Sequence, residues 1–204
     1  MNKINSSDIN NLTHIFELFW PDKSIQLDGL LGLLKKKSYR KGDIILETGQ
    51  IEKQINFLSK GVVHMFTYVD GIQHTVSIAQ RVFNSYSSYY LAIPSNETHE
   101  ALTDVDILYV EKHAVERLLK TDHIFCYVYA KLSEFILLVR EQRAKLLLHK
   151  SAAKRFELFI EQHNDLMKLE NEVSQKVIAN YLGISPESYS RMKSQYLKTK
   201  YTLG

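Results

Sequence analysis

The stretch from Ser174 to Lys193 constrains the fold more than any other, because the start, stop and restart of two short helices are each chemically specified there. Ser174 can accept a hydrogen bond from the free amides that open a helix. Gly183 offers the left-handed conformation that ends one, and Ser185 can cap a second helix with Pro186 at its first position. Val177, Ile178 and Leu182 recur at three- and four-residue spacing on the first helix, and Tyr189, Met192 and Tyr196 do so on the second. The pattern predicts a helix-turn-helix with one buried face per helix. Glu187, Ser188, Arg191 and Gln195 then project outward, and side chains of these types can reach base edges. A helical hairpin whose caps serve packing alone has the same local signature. Charge separates the readings: Lys176, Arg191, Lys193, Lys198 and Lys200 against Glu187 give +4 from Ser174 to Gly204, whereas the whole chain carries +3, so the remainder sums to −1. The positive field is concentrated where the motif lies, as attraction to phosphate requires.

Upstream, the hydrophobic period changes twice. Ile9, Leu12, Ile15, Phe16 and Phe19 form a helical stripe after the caps Ser6, Ser7 and Asp8, with Pro21 as its stop, and a second short helix is expected from Leu27 to Lys36. Then come short β-rich runs, Ile44–Leu46, Ile55–Leu58, Val62–Val69 and Gln73–Ile78, punctuated by Lys41-Gly42-Asp43, Gly49, Lys60-Gly61 and Asp70-Gly71. Asp-Gly between two strands predicts a type I′ hairpin, whose central positions both need positive φ. With Asp106 to Val110 as a last strand, the spacing predicts a small barrel.

Beyond it the helical period returns. Phe125, Val128, Leu132, Phe135, Val139, Gln142 and Leu146 alternate by three and four residues, the pattern of a coiled-coil seam, so Phe125, Val128, Leu132, Phe135 and Val139 are the expected contacts of a homodimer. A second stripe, Ile124, Tyr129 and Ile136, would let the same helix cover its own barrel. His149 to Ser151 reads as a hinge, and Ser151 opens a further helix bearing Phe156, Phe159 and Ile160.

Composition bounds the class. The 204 residues, 45% hydrophobic and 24% charged, suffice for a packed core. No apolar run approaches the roughly 20 residues of a membrane helix, and the N-terminus lacks a signal-peptide pattern, so a cytoplasmic location is the default expectation. The single cysteine, Cys126, cannot make an intrachain disulfide and is expected to be an inert buried thiol. No nucleotide-binding glycine loop, serine elbow or zinc-protease motif occurs, so an enzyme finds no support. His64 and His74 flank the Asp70-Gly71 turn. Pairing across it sets His64 opposite Ser77 and His74 opposite Thr67, which sends the imidazoles to opposite faces; neither a metal nor a cofactor site is expected.

The ordered set Tyr39-Arg-Lys-Gly42-Asp43-Ile-Ile-Leu-Glu47-Thr-Gly49, Ile55-Asn-Phe57-Leu58-Ser-Lys-Gly61-Val62-Val63, Asp70-Gly71 and the segment from Val173 to Arg191 resembles the Crp/Fnr family of bacterial transcription regulators over almost the whole chain. The resemblance implies an α+β fold: an N-terminal small β-barrel of jelly-roll, cyclic-nucleotide-binding-like type (residues 1–120), a long dimerisation helix and hinge (121–150) and a C-terminal helix-turn-helix DNA-binding domain (151–204). It implies double-stranded DNA and a second copy of the chain as partners, RNA polymerase as a further candidate, no membrane, and an effector whose identity is unknown.

Residue by residue, the family's base-reading positions fall on Ser185, Pro186, Glu187, Ser188 and Arg191. Ser174, Gln175, Lys193, Gln195, Lys198 and Lys200 complete the expected DNA-binding set. Pro186 departs from the pattern, since many members place there an arginine that reads guanine. Many members also continue beyond the second helix into a β-hairpin wing, for which Lys198 and Lys200 are partial substitutes. The sensor departs further. Cyclic-nucleotide binders in the family use a Phe-Gly-Glu segment and a later Arg-Ser/Thr pair; here the first reads Phe83-Asn84-Ser85-Tyr86 and the second Ser95-Asn96-Glu97-Thr98. Phe83, Tyr86, Tyr89 and Tyr90 are therefore the expected residues of a degenerate effector pocket that does not suit cyclic AMP. The alternative is a ligand-binding or protein-interaction module of the same fold that has lost sequence-specific DNA binding.

Overall fold

Asp70 and Gly71 both take positive φ, 52° and 76°, and join two strands of seven and eight residues as a hairpin. The computed structural model describes residues 3–18, 28–162 and 166–202. Helices α1 (Ser6–Glu17) and α2 (Asp28–Leu31) precede strands β1 (Lys35–Tyr39), β2 (Ile44–Leu46), β3 (Gln54–Lys60), β4 (Val63–Val69), β5 (Ile72–Ala79) and β6 (Val82–Phe83). Helix α3 (Tyr86–Leu91) leads to β7 (Thr98–Ala101) and β8 (Val105–Glu111), after which the elements among the described residues are helices: α4 (Lys112–Thr121), α5 (His123–Leu148), α6 (Ala152–Gln162), α7 (Leu166–Glu172), α8 (Gln175–Tyr181) and α9 (Pro186–Thr202).

The strands form two antiparallel sheets, ordered β1-β8-β3-β6 and β2-β7-β4-β5. Leu58, Val105 and Ile107 of one sheet meet Val63, Met65 and Ala101 of the other in a dry interior, as expected of a small jelly-roll. Gly61 turns β3 into β4 at φ 89°, where a Cβ would lie 2.5 Å from the Asp104 carbonyl oxygen, so only glycine fits. β1 and β7 were not legible as strands, because Lys-Lys-Lys-Ser-Tyr and Thr-His-Glu-Ala lack apolar alternation. Pairing with β8 and with β2 and β4 overrides that local preference. For the same reason the helix expected from Leu27 to Lys36 is cut to the four residues of α2, with Lys35 and Lys36 in β1; Leu27 lies outside the described residues.

The β4–β5 ladder carries a bulge that shifts the expected register. Phe66 pairs with Thr75 but Met65 with Ser77, which leaves Val76 over and sets His64 opposite Ile78 rather than Ser77. His64 is buried and bonded to Thr75 Oγ1 at 2.9 Å, whereas His74 is exposed, so the two do not converge. Burial pushes the His64 imidazole down to about 4, which keeps it neutral.

Helix α1 is capped by Asn5 rather than by Ser6 or Ser7. Asn5 Oδ1 accepts the Asp8 amide and Asp8 Oδ2 accepts the Asn5 amide, each at 2.9 Å. Phe19 and Pro21 lie outside the described residues. Asp8 is also the buried partner of Lys36, whose Nζ stands 2.8 and 2.9 Å from its two oxygens, and it accepts the Ser59 hydroxyl at 2.7 Å. Burial alone would raise the Asp8 carboxyl, but these donors hold it below its ordinary value, and α1 is thereby fixed over β1 and β3.

The first three residues of the expected dimer seam on α5 face the chain itself. Phe125, Val128 and Leu132 are 4%, 1% and 7% exposed, packed with Leu12, Phe16, Phe57 and Val110. Phe135 and Val139 are each 38% exposed and line the mouth of a cavity on the same side. The physical reason is that the sheet β1-β8-β3-β6 and helix α1 need an apolar cover, and the seam supplies it. The face turned the other way carries Cys126, Ala130, Leu137, Ala144 and Leu148, all exposed, with Leu137 at 67% and Leu148 at 81%. Cys126 is therefore not the buried thiol that its neighbours suggested.

Candidate nucleic-acid interface and effector pocket

The helix-turn-helix is built as its caps dictate. The Ser174 side chain accepts the Val177 amide, Gly183 turns at φ 64°, and Ser185 Oγ accepts the Ser188 amide at 3.2 Å with Pro186 opening α9. Ile178, Ala179, Leu182 and Tyr189 are fully buried, packed with Phe156 and Phe159 of α6. The Tyr189 hydroxyl donates to Glu170 Oε1 at 2.8 Å, and the other Glu170 oxygen takes the Lys193 ammonium. Lys193, expected to face DNA, is thus half-buried and tied to α7 (side chain 20% exposed), because Glu170 lies within its reach and below its face of α9.

Ser174, Gln175, Ser185, Pro186, Glu187, Arg191, Gln195 and Lys198 are exposed, and Ser188 is partly so. Glu187, Arg191, Gln195 and Lys198 follow at three- and four-residue steps along α9 and share one face, which Ser194 joins; nothing in the sequence had singled Ser194 out. Ser188 Oγ lies 3.2 Å from both Ser185 Oγ and Arg191 Nη2, so the first turns of α9 carry a short polar chain. The Glu187 amide and the Ser185 hydroxyl, helped by Arg191 one turn on, hold the Glu187 carboxyl below its usual range. Lys200 lies on α9, but its side chain falls outside the described residues.

Helix α8 is latched to the barrel. β5 is an edge strand, and its free backbone groups are taken by side chains: Asn180 Nδ2 donates to Gln73 O at 2.8 Å and Asn180 Oδ1 accepts the Thr75 amide. Arg143 of α5 donates to Thr75 O and to Tyr181 O, its guanidinium 4.6 Å from the centre of the Tyr181 ring. Arg155 ties the hinge to the turn by donating to His149 O and Gly183 O at 2.7 and 3.0 Å. None of these three residues carries a sequence signal, since each acts across more than one element.

The barrel interior holds an acidic polar cluster that includes Ser85 and Ser95, from the two segments the resemblance aligns with the family's cyclic-nucleotide motifs. Glu52, Ser85, Ser88, Ser95, Glu97 and His99 are buried together, and among the described residues no arginine is buried. Ser95 Oγ bonds Ser85 Oγ, His99 Nε2 stands 3.4 Å from Glu97 Oε2, and His99 Nδ1 has no partner. Burial raises the Glu52 carboxyl above its ordinary value despite His99 and the nearby backbone amides. Of the expected pocket residues, Phe83 and Tyr86 line the cavity that Phe135 and Val139 also line. Tyr89 and Tyr90 stand beside it and brace α3: Tyr90 stacks on Tyr86 at 5.8 Å, meets Tyr89 edge-on at 5.3 Å, and bonds Tyr129 through its hydroxyl at 2.6 Å.

Residues 36–122 match the family model of the cyclic nucleotide-binding domain. No curated protein matches the chain significantly. Among solved structures it is similar to FixK2 from Bradyrhizobium japonicum, at 20% identity and TM-score 0.67, over 82% of this chain and 86% of that one. A CooA mutant from Carboxydothermus hydrogenoformans superposes at TM-score 0.68 and 17% identity, over 86% and 82% of the two chains. The c-di-GMP-responsive global regulator CLP of Xanthomonas campestris does so at 0.64 and 13%, over 85% and 91%. Residues 36–122 are therefore similar to a cyclic nucleotide-binding domain, and the chain shares its fold with FixK2, CooA and CLP.

Proposed function

We propose that the protein is a homodimeric transcription regulator that reads a near-palindromic duplex site through α9, with residues 1–120 as sensor, 121–150 as connector and dimerisation segment, and 151–204 as DNA reader. One observation carries the reading: Glu187, Arg191, Gln195 and Lys198 are exposed together on one face of a helix that Ser185 caps at its N-terminus and whose other face is buried. A guanidinium so placed can donate two bonds to guanine, and the carboxylate can accept from cytosine. Two such helices fit successive major grooves only in a dimer, and the exposed face of α5 that bears Cys126, Ala130, Leu137, Ala144 and Leu148 around Glu141 is the face we assign to the second copy. Cyclic AMP is not the effector in this reading. Its phosphate would be desolvated beside Glu52 and Glu97, and among the described residues no buried guanidinium is there to receive it.

The test is selection of bound duplexes from a random pool, followed by titration of the best one at rising salt. Phosphate-contacting binding is expected to weaken by about a thousandfold or more between roughly 50 and 200 mM salt, and the selected duplex to be preferred over random DNA by a similar factor. Absence of duplex binding at every salt concentration would establish the interaction module instead.

A further inference from the structure

We propose that the cavity at the junction of barrel, α5 and the helix-turn-helix is an effector site for an amphipathic anion, an apolar chain or ring that ends in a carboxylate. The cavity encloses about 460 Å³, within the range of small-molecule sites. Its walls come from three parts of the chain: Phe83 from the barrel, Val139 from α5, and Phe159 and Tyr181 from the reader. Apolar rings and aliphatic side chains dominate this lining, so an occupant gains by burying an apolar body.

The polar end is specified by two arginines. Arg81 and Arg140 lie on the lining, with the Arg140 guanidinium 4.9 Å from the centre of the Tyr86 ring. Among the described residues no carboxylate stands within ion-pair distance of either. A guanidinium held over an aromatic face at the edge of an apolar cavity is a receptor for a planar carboxylate. Glu52, Glu97 and His99 do not line this cavity; the Phe83 ring stands between, on the cavity wall on one side and edge-on to His99 at 5.6 Å on the other.

Position gives the site a means of control. Tyr181 contributes to the cavity wall and also holds Arg143, while its neighbour Asn180 bonds the edge of β5. An occupant touches the sensor and the reader at once, so its binding biases how α8 and α9 sit on the barrel. This consequence rests on the proposed DNA-binding function; occupancy of the site does not.

Calorimetry tests it with the whole protein and two probe series, the straight-chain carboxylates from hexanoate to dodecanoate and the phenyl-substituted carboxylates phenylacetate and 4-phenylbutyrate. Each is paired with the alcohol of the same skeleton and kept below its aggregation concentration. At least one carboxylate is expected to bind about tenfold or more tightly than its alcohol. Arg140→Gln, at an exposed position, should erase that advantage and leave the melting temperature of the free protein unchanged. Val139→Trp should block carboxylate and alcohol alike by filling the cavity. If no member of either series binds at millimolar concentration, or if carboxylate and alcohol bind equally and Arg140→Gln changes nothing, the site as proposed is wrong. A carboxylate that binds as expected yet leaves the affinity for the selected duplex unchanged confirms the site and overturns its coupling to DNA binding; failure to select any duplex counts against the regulator and leaves the site standing.

Discussion

Arg191 and Lys198 stand two turns apart on the same exposed face of α9, yet their loss should look different. Arg191 lies close to the capped end of the helix and is steadied by Ser188, where a fixed guanidinium can make paired bonds to a guanine edge. Lys198 lies farther along, a point charge suited to phosphate. Arg191→Ala should cost about 1–3 kcal/mol on the selected duplex and relax discrimination at one base pair per half-site. Lys198→Ala should weaken all duplexes alike and flatten the salt slope by about one unit. Equal weakening of specific and random DNA by Arg191→Ala would make Arg191 a phosphate anchor. At this scale the sequence was informative where the chemistry is local. The caps Ser174 and Ser185 and the turn at Gly183 are visible because each acts within a few residues. Lys193 was misplaced because its partner Glu170 comes from another helix, and no local pattern announces such a pair.

Helix α5 shows what periodicity can and cannot specify. A stripe at three- and four-residue spacing says that one face is apolar; it does not say whether that face meets the chain's own core or a second copy. Here Phe125, Val128 and Leu132 meet the core, and the opposite stripe of small residues and leucines is left in solvent. That outward face was hard to read, since Cys126, Ala130 and Ala144 carry little hydrophobic signal and Leu137 falls among other apolar residues. The two faces separate experimentally. Leu137→Asp alters an exposed position and should leave the monomer folded while abolishing the dimer, seen as a shift to the monomer mass in sedimentation. It should also weaken operator binding, because the two half-sites would no longer be linked. Leu132→Asp buries a charge in the core under α5 and should destabilise the fold itself, by several kcal/mol in urea titration. A dimer that survives Leu137→Asp would remove this face as the interface.

At the scale of the whole molecule, the barrel and the reader are less separate than three sequence segments suggest. Val62 from the barrel is buried in the same apolar cluster as Phe156, Phe159 and Tyr189, with Ile78 and Leu102 packed against it. Beside this shared core stands the polar latch. Thr75 has its amide bonded to Asn180, its carbonyl to Arg143 and its hydroxyl to His64, so each polar group of one edge-strand residue is satisfied by a different element. An edge strand invites pairing, and α8 answers with a side-chain amide that presents the donor and acceptor of a neighbouring strand. Asn180→Ala removes both bonds and leaves the Thr75 amide and Gln73 carbonyl without their partner, a loss of about 1–3 kcal/mol for each group that stays out of water. The shared core should keep the protein folded. The expected result is faster hydrogen exchange at the Thr75 amide and a lower urea midpoint, with the amide of Met65 in β4, which lies between β5 and β7, protected as before. If Thr75 exchanges at its original rate in Asn180→Ala, the reader is held by its apolar contacts alone. The angle between α8 and the barrel would then be set by Val62, Ile78 and Leu102, and the coupling of the junction cavity to α9 would have to run through that packing instead.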